Sequence, residues 1–260
     1  MTPMTNKTKS GARTTETSLE IVDAIRDLDG ATMDELSEYL GLAPSTIHRH
    51  LVTLRERNYV TQENGTYRIG FQFLTVGGYA QRMTTAFPMI KEKVDSLAAE
   101  TGERAQFIVE EHGERVYLYT EVGQSAVQTG AHVGKRGALH TSAAGKAILA
   151  NMSPERFDEI VATRGLGKVS ENTITTREEL TEECERIRER GYAFNRQETT
   201  EGVHAVGAAV TDSEGDVLGA LSVSGPAHRV KGTQLTEELP ERILSAVNEL
   251  ELYIEHSVQT

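Results

Sequence analysis

The chain has 260 residues, 38% of them hydrophobic and 25% charged, with a formal net charge of −12. That length holds one large domain or two modest ones, and without an apolar run of about 18 residues it offers no transmembrane helix. The single cysteine, Cys184, makes neither an internal disulfide nor a zinc site, and the polar N-terminus has no apolar signal core, so a reducing, cytoplasmic setting is expected.

Residues 1–15 carry Lys7, Lys9 and Arg13 with no acid and read as a disordered arm. Residues 16–70 read as one small domain. A first helix over 16–28 turns Leu19, Val22, Ile25 and Leu28 inward. Thr32 and Glu35 have capping-box spacing and open a second helix with Leu36 and Leu40 inside. Gly41 ends that helix in the left-handed conformation, and Pro44 opens a third, where its missing N–H is not needed. Ile47, Leu51 and Leu54 stripe one side of the third helix. Ser45, Arg49 and Thr53 cluster on the other, flanked by Thr46 and His48. Asn58 ends it. Short strands over 60–62 and 66–69 flank Asn64-Gly65, a hairpin signal because both residues tolerate positive φ.

Helix, turn, helix and wing in that order predict a winged helix-turn-helix domain that binds double-stranded DNA. The third helix presents hydroxyls, an imidazole and a guanidinium, which suit phosphate oxygens and base edges in a major groove. The candidate DNA-binding residues are Pro44, Ser45, Thr46, His48, Arg49 and Thr53 of this helix, with Asn64 and Arg68 of the wing. Arg49 is expected to be the strongest contact. The acidic total does not oppose this, because residues 41–70 carry Arg49, Arg55, Arg57 and Arg68 against only Glu56 and Glu63. Eight lysines, nineteen arginines, no tryptophan and abundant Glu and Thr suit a protein kept soluble in high salt. There counterion release is weakened and recognition leans on direct and shape readout.

Residues 71–86 are expected to form a linker helix, with Phe71, Leu74 and Val76 free to pack and Gly77-Gly78 marking a hinge. From residue 87 a second domain begins. A helix over 88–100 places Ile90, Val94 and Leu97 inward and stops at Thr101-Gly102. Residues 105–110 and 115–120 alternate as a hairpin, and 127–133 is a further strand candidate. Helices follow over 142–150, 154–163 and 176–190, then a short strand over 192–194. A hairpin pairs 204–211 with 217–224, and an amphipathic helix over 240–256 closes the chain through Ile243, Val247, Leu250 and Ile254. Intermixed sheet and helices give an α+β class with a sensor-like second domain.

Three segments carry a family resemblance: the winged helix, LHTSAAGKAILA at 139–150, and GYAFNRQETTEGVHAVGAAVTDSEGDVLGALSVSGP at 191–226. With them the chain, from about residue 16 to its end, resembles the IclR family of transcriptional regulators, particularly archaeal members from salty environments. The resemblance implies a GAF-like C-terminal domain over 87–260 that binds a small effector. It also implies homodimers or homotetramers built through both domains, and palindromic operators. Carried over by motif, the effector site would include Ala143, Ala144, Asn195, Ala205, Ser222 and Ser224. The sequence departs from the commoner pattern at position 195, where Asn replaces a frequent acid. Position 205 has Ala for a frequent Cys, and position 209 has Ala for a frequent Pro. The expected pocket is therefore less acidic and has no thiol.

The residues themselves support a modest chemistry. A helix starting at Ser142 would point free backbone N–H groups at an anion. Ser222 and Ser224, two apart on a strand, face one side. With Asn195 they offer neutral donors and acceptors, which fits hydroxylated acids, sugar acids or sugars. His140 and His204 would add proton-sensitive contacts. Gly145-Lys146 is not a phosphate loop, since His140 stands where its first glycine belongs and Ala147 follows the lysine. His48 and His50 face different directions, so no metal is expected, and no cofactor is implied. Cys184 lies mid-helix with no second cysteine, which makes a redox switch unexpected.

The reading is a DNA-binding regulator answering a small polar effector in sugar or organic-acid catabolism, and not an enzyme. A DNA-binding protein with a ligand-inert oligomerisation domain is the alternative. A GAF-like enzyme with an appended DNA module is disfavoured, because no nucleophile–base pair or metal cluster is recognisable.

Overall fold

The structure, a computed structural model, describes residues 11–126 and 130–257. It divides into two compact units, one ending at Gln81 and the other starting at Arg82.

The first unit contains α1 (Arg13–Asp27), α2 (Met33–Leu40), α3 (Pro44–Glu56), β1 (Val60–Glu63), β2 (Thr66–Ile69) and most of α4 (Gln72–Arg82). Thr32 caps α2 in a reciprocal box: its hydroxyl accepts from the Glu35 N–H, and the Glu35 carboxylate accepts from the Thr32 N–H. Those backbone and hydroxyl bonds hold the Glu35 carboxyl below its ordinary range. β1 and β2 pair antiparallel around Asn64 and Gly65, whose φ values of 51° and 85° form the expected tight turn. Ala31 exchanges backbone hydrogen bonds with Tyr67, which ties the wing to the α1–α2 connection. Ile21, Ala24, Ile25, Leu36, Ile47, Leu51, Val60 and Tyr67 form the core.

Three expectations change here. The arm assigned to residues 1–15 lies largely outside the described residues, and Arg13, Thr14 and Thr15 already belong to α1. The buried stripe of α1 is Thr17, Ile21, Ala24 and Ile25, while Leu19 and Leu28 are exposed. Both stripes satisfy helical spacing. The observed one buries Thr17 cheaply, because its hydroxyl donates to the Arg13 carbonyl, and Ala24 lets the helices approach. In place of a hinge at Gly77-Gly78, α4 runs through both glycines without a break.

The second unit is a six-stranded antiparallel sheet with helices on both faces. Its strands are β3 (Arg104–Glu111), β4 (Glu114–Val122), β5 (Arg136–Ala138), β6 (Ala193–Arg196), β7 (Val203–Thr211) and β8 (Val217–Pro226). Their order is β5-β4-β3-β8-β7-β6. On one face, α5 (Phe87–Thr101) and α9 (Leu239–Ser257) pack on Ala105, Phe107, Val206, Ala208, Val210, Leu221 and Val223. On the other lie α6 (Ala143–Asn151), α7 (Pro154–Arg164) and α8 (Arg177–Arg190), over Ile108, Ala205 and Ala220. The alternation of β3, β7 and β8 thus puts large apolar side chains on the α5/α9 face. It leaves Gln106, Ala205, Gly207, Ser222 and Ser224 on the other.

The strand expected over 127–133 is replaced. Residues 127–129 lie outside the described set, 130–133 are not strand, and the sheet edge is instead β5, paired to β4 from Glu114 to Val116. The short strand expected at 192–194 starts at Ala193 and reaches Arg196.

Leu36 is fully buried in the small first core. Leu36→Ala is expected to cost roughly 2–5 kcal/mol there. Hydrogen exchange would report it as lost amide protection across residues 13–69, with the sheet of the second unit unchanged.

Candidate functional site

In the first unit, α3 separates its two faces as its sequence demands. Ala43 is extended and Pro44 occupies the first turn, so the helix begins without a side-chain cap. Ile47 and Leu51 are buried. Pro44, Ser45, His48, Arg49 and Thr53 are exposed, Thr46 is half-buried, and Asn64 and Arg68 are exposed on the wing. Among the described residues the Arg49 guanidinium has neither an ion-pair nor a hydrogen-bond partner, so its donors are available to another molecule. Thr53 spends its hydroxyl hydrogen on the Arg49 carbonyl at 3.2 Å and is left an acceptor. Arg68 is tied back to the Asp29 carbonyl at 3.3 Å. Arg49 and Thr53 also line an open groove with His50, Thr14, Thr15, Ser18 and Leu19. His50 is held there by Ser18, with Oγ and Nδ1 2.8 Å apart. Thr14, Thr15 and Ser18 were missed by sequence reading because nothing in the α3 pattern points thirty residues upstream.

In the second unit, Ala143, Ala144, Asn195, Ala205, Ser222 and Ser224 together line a partly open cavity of about 60 Å³. It forms because α6 approaches the sheet end-on over small residues. A Cβ on Gly207 would stand 2.7 Å from the Ala144 nitrogen, and one on Gly145 would collide with the Leu139 carbonyl. Ser142 caps α6 by accepting from the Gly145 N–H at 3.1 Å. The N–H groups of Ala143 and Ala144 therefore face the cavity end of the helix, where partial positive charge gathers.

Beneath the cavity Lys146 and Glu198, both buried, form an ion pair at 2.5 Å. It fastens the loop after β6 to α6. Asn195 does the same work by hydrogen bonds. Its amide donates to the Thr141 carbonyl and the Thr199 hydroxyl, and its oxygen accepts from the Glu198 N–H. Asn195 lines the cavity, but its donors are committed to the protein.

The cavity is not neutral, as expected from its motifs, because Arg115 and Lys135 line it. Arg115 is 5% exposed and reaches in from β4, donating to the Ala138 carbonyl and the Thr141 hydroxyl at the foot of α6. Gln106, from β3, lies against Ser222 and Ser224. Neither was singled out from sequence. Arg115 had one available signal, an inward register with Tyr117 on β4. The two histidines do not join the cavity lining. His140 bonds the Gly167 carbonyl, and its pKa is lowered first by burial, then by the positive charges of Arg115 and Lys146. His204 bonds the Val230 carbonyl. Burial pushes the Cys184 thiol up to about 11, so it is held as an inert core group. No helix among the described residues is long and apolar enough to cross a membrane.

A polar-faced α3 in a winged unit, followed in the chain by a unit with a cavity lined by polar groups, is the organisation of a protein that reads DNA and senses a small molecule. Comparison with known proteins identifies the family. The bacterial transcriptional regulator IclR C-terminal domain matches residues 81–252, and the IclR helix-turn-helix domain matches residues 15–64. A probable HTH-type transcriptional regulator ArcR of Halobacterium salinarum is 34% identical over 242 residues, 92% of each chain. The structure of Thermotoga maritima IclR shares the fold with a TM-score of 0.81 at 24% identity, covering 93% of this chain and 98% of that one. An IclR homologue of Microbacterium hydrocarbonoxydans complexed with 4-hydroxybenzoate has a TM-score of 0.76 at 22% identity, with 91% and 98% covered. The chain is a DNA-binding transcriptional regulator with a C-terminal effector-binding domain. It belongs to the IclR family.

Breaking the Lys146–Glu198 pair from one side leaves a buried, unpaired carboxylate. Lys146→Met is expected to lower stability by roughly 3–5 kcal/mol in urea unfolding, and Lys146→Met with Glu198→Leu to recover most of the loss.

Proposed function

We propose that the protein is a cytoplasmic, effector-responsive regulator that binds a palindromic operator as a homodimer or homotetramer. Its α3 helices would enter successive major grooves, with half-site centres about 10 base pairs apart. Pro44, Ser45, Thr46, His48, Arg49 and Thr53 face DNA in this reading, with Asn64 and Arg68 following from the wing. The observation that carries it is the uncommitted Arg49 guanidinium on an exposed polar helix face, in a segment where arginines outnumber acids. Self-association is supported by α4, which buries none of its residues while Phe71 beside it is 85% exposed and Leu74 within it 70%. Apolar surface of that kind is what a second copy covers.

The cavity around Ala143, Ala144, Asn195, Ala205, Ser222 and Ser224 is the effector site in this proposal. Its occupant is a small polar metabolite of sugar or organic-acid catabolism. Its occupancy changes operator affinity through a coupling free energy, and no catalysis is assigned to it. The polar lining and small volume support a metabolite of a few carbons over a larger apolar ligand.

The test is selection of binding sites from random duplex DNA, followed by titration of the recovered site. Arg49→Ala is expected to weaken binding about 10- to 100-fold, the worth of a bidentate base contact, with the helical spectrum unchanged. Unaltered affinity would remove α3 from the interface.

A further inference from the structure

Two buried polar atoms at the cavity have no partner: Arg115 Nε and Gln106 Oε1. Each demands something different. Lys146 has Glu198 beside it, and the buried Glu103 has Arg229. Among the described residues no carboxylate pairs with Arg115, in a chain with 39 acids. A buried guanidinium served by a carbonyl, a hydroxyl and the face of the Tyr117 ring at 5.9 Å still lacks a full negative charge, and an anion supplied from outside compensates it. Arg115 reaches Thr141 at the foot of α6, so its charge and the start of that helix lie on one side of the cavity they both line.

The orientation of the Gln106 amide follows from its neighbour. Ser222 spends its only hydroxyl hydrogen on the Val206 carbonyl at 2.8 Å. Toward Gln106 it can therefore only accept, and the atom against it must be the donor, Nε2. The carbonyl oxygen is turned the other way, buried, and in need of a hydrogen-bond donor. The remaining lining residues include no Asp or Glu. A donor carried on an ammonium would meet Arg115 and Lys135 without a counter-charge, whereas a hydroxyl meets no such cost.

We propose that the effector is a short hydroxy acid, its carboxylate held by Arg115 and the start of α6 and its hydroxyl donating to Gln106 Oε1. This rests on the cavity being the effector site, and it narrows that reading to one chemical class and two further recognition residues. The volume of about 60 Å³ restricts the acid to a few carbons.

Calorimetric titration of the full chain with lactate, glycolate and glycerate tests it against propionate and acetate, which lack the hydroxyl, alanine, and neutral lactamide and glycerol. Hydroxy acids are expected to bind at least 10-fold tighter than their deoxy analogues, with alanine, lactamide and glycerol weaker still. Gln106→Met should erase the preference for lactate over propionate while both acids still bind. Arg115→Met should abolish acid binding with the folded spectrum retained, and Arg115→Lys, which keeps the charge, should restore part of it. If Arg115 serves structure alone, the folded Met variant still binds acids, or the Lys variant restores none of the binding, and either result overturns the proposal. Equal binding of propionate and lactate overturns it too. Alanine, or a neutral compound, binding best and altering DNA affinity overturns it while leaving the effector site standing. Failure of every compound to bind or to change DNA affinity removes both.

Discussion

Everything distinctive in the second unit depends on a main-chain contact without side chains between. The start of α6 rests directly on β7 because Gly207 offers no Cβ to the Ala144 nitrogen, and α6 can fold tightly over Leu139 because residue 145 is also Gly. That approach aims the helix end at the sheet. It also forces the neighbouring sheet positions to be small, so Ala205, Ser222 and Ser224 leave a space that larger residues would fill. Cavity and anion-favouring potential are two results of one steric condition.

Charge is arranged locally in both units against an acidic whole. On α3 the relevant cation is exposed and uncommitted, so it serves a partner whose own charge supplies the attraction. In the cavity the cation is buried, and among the described residues no carboxylate pairs with it, so its burial carries a cost that the surrounding protein leaves open. Lys146 is a third case. It is buried and fully paired, and it locks the loop carrying Thr199 and Thr200 to the helix beside it. The ion pair, the Asn195 amide and the Thr173 hydroxyl, which donates to the Glu198 carbonyl, converge on Glu198 and Thr199.

The sequence made the first unit legible almost to the residue, because capping boxes, Pro at a helix start and Asn-Gly turns are local devices. Thr32, Pro44 and Asn64 each act within three residues. The exception, α1, shows the limit of periodicity: two stripes share Ile25, and only contact with α3 and the wing decides between them. In the second unit the motifs led to six residues that do meet in one cavity. Arg115 and Gln106 stayed hidden because a polar residue on an alternating strand reads as solvent-facing unless the sheet is known to be covered on both sides. β5 stayed hidden because three residues between turns carry no period. Asn195 was found for its position, yet its chemistry was misjudged, since only geometry shows where an amide spends its hydrogens.

The hydroxyl of Ser222 has a consequence beyond its own bond. Because its hydrogen is pledged to the Val206 carbonyl, it dictates which way the Gln106 amide faces, and so whether the cavity wall accepts or donates. Ser222→Ala, which removes that one hydroxyl, would lift this constraint on the amide. The same pocket, with no change of shape, would then be able to present N–H where it had presented C=O.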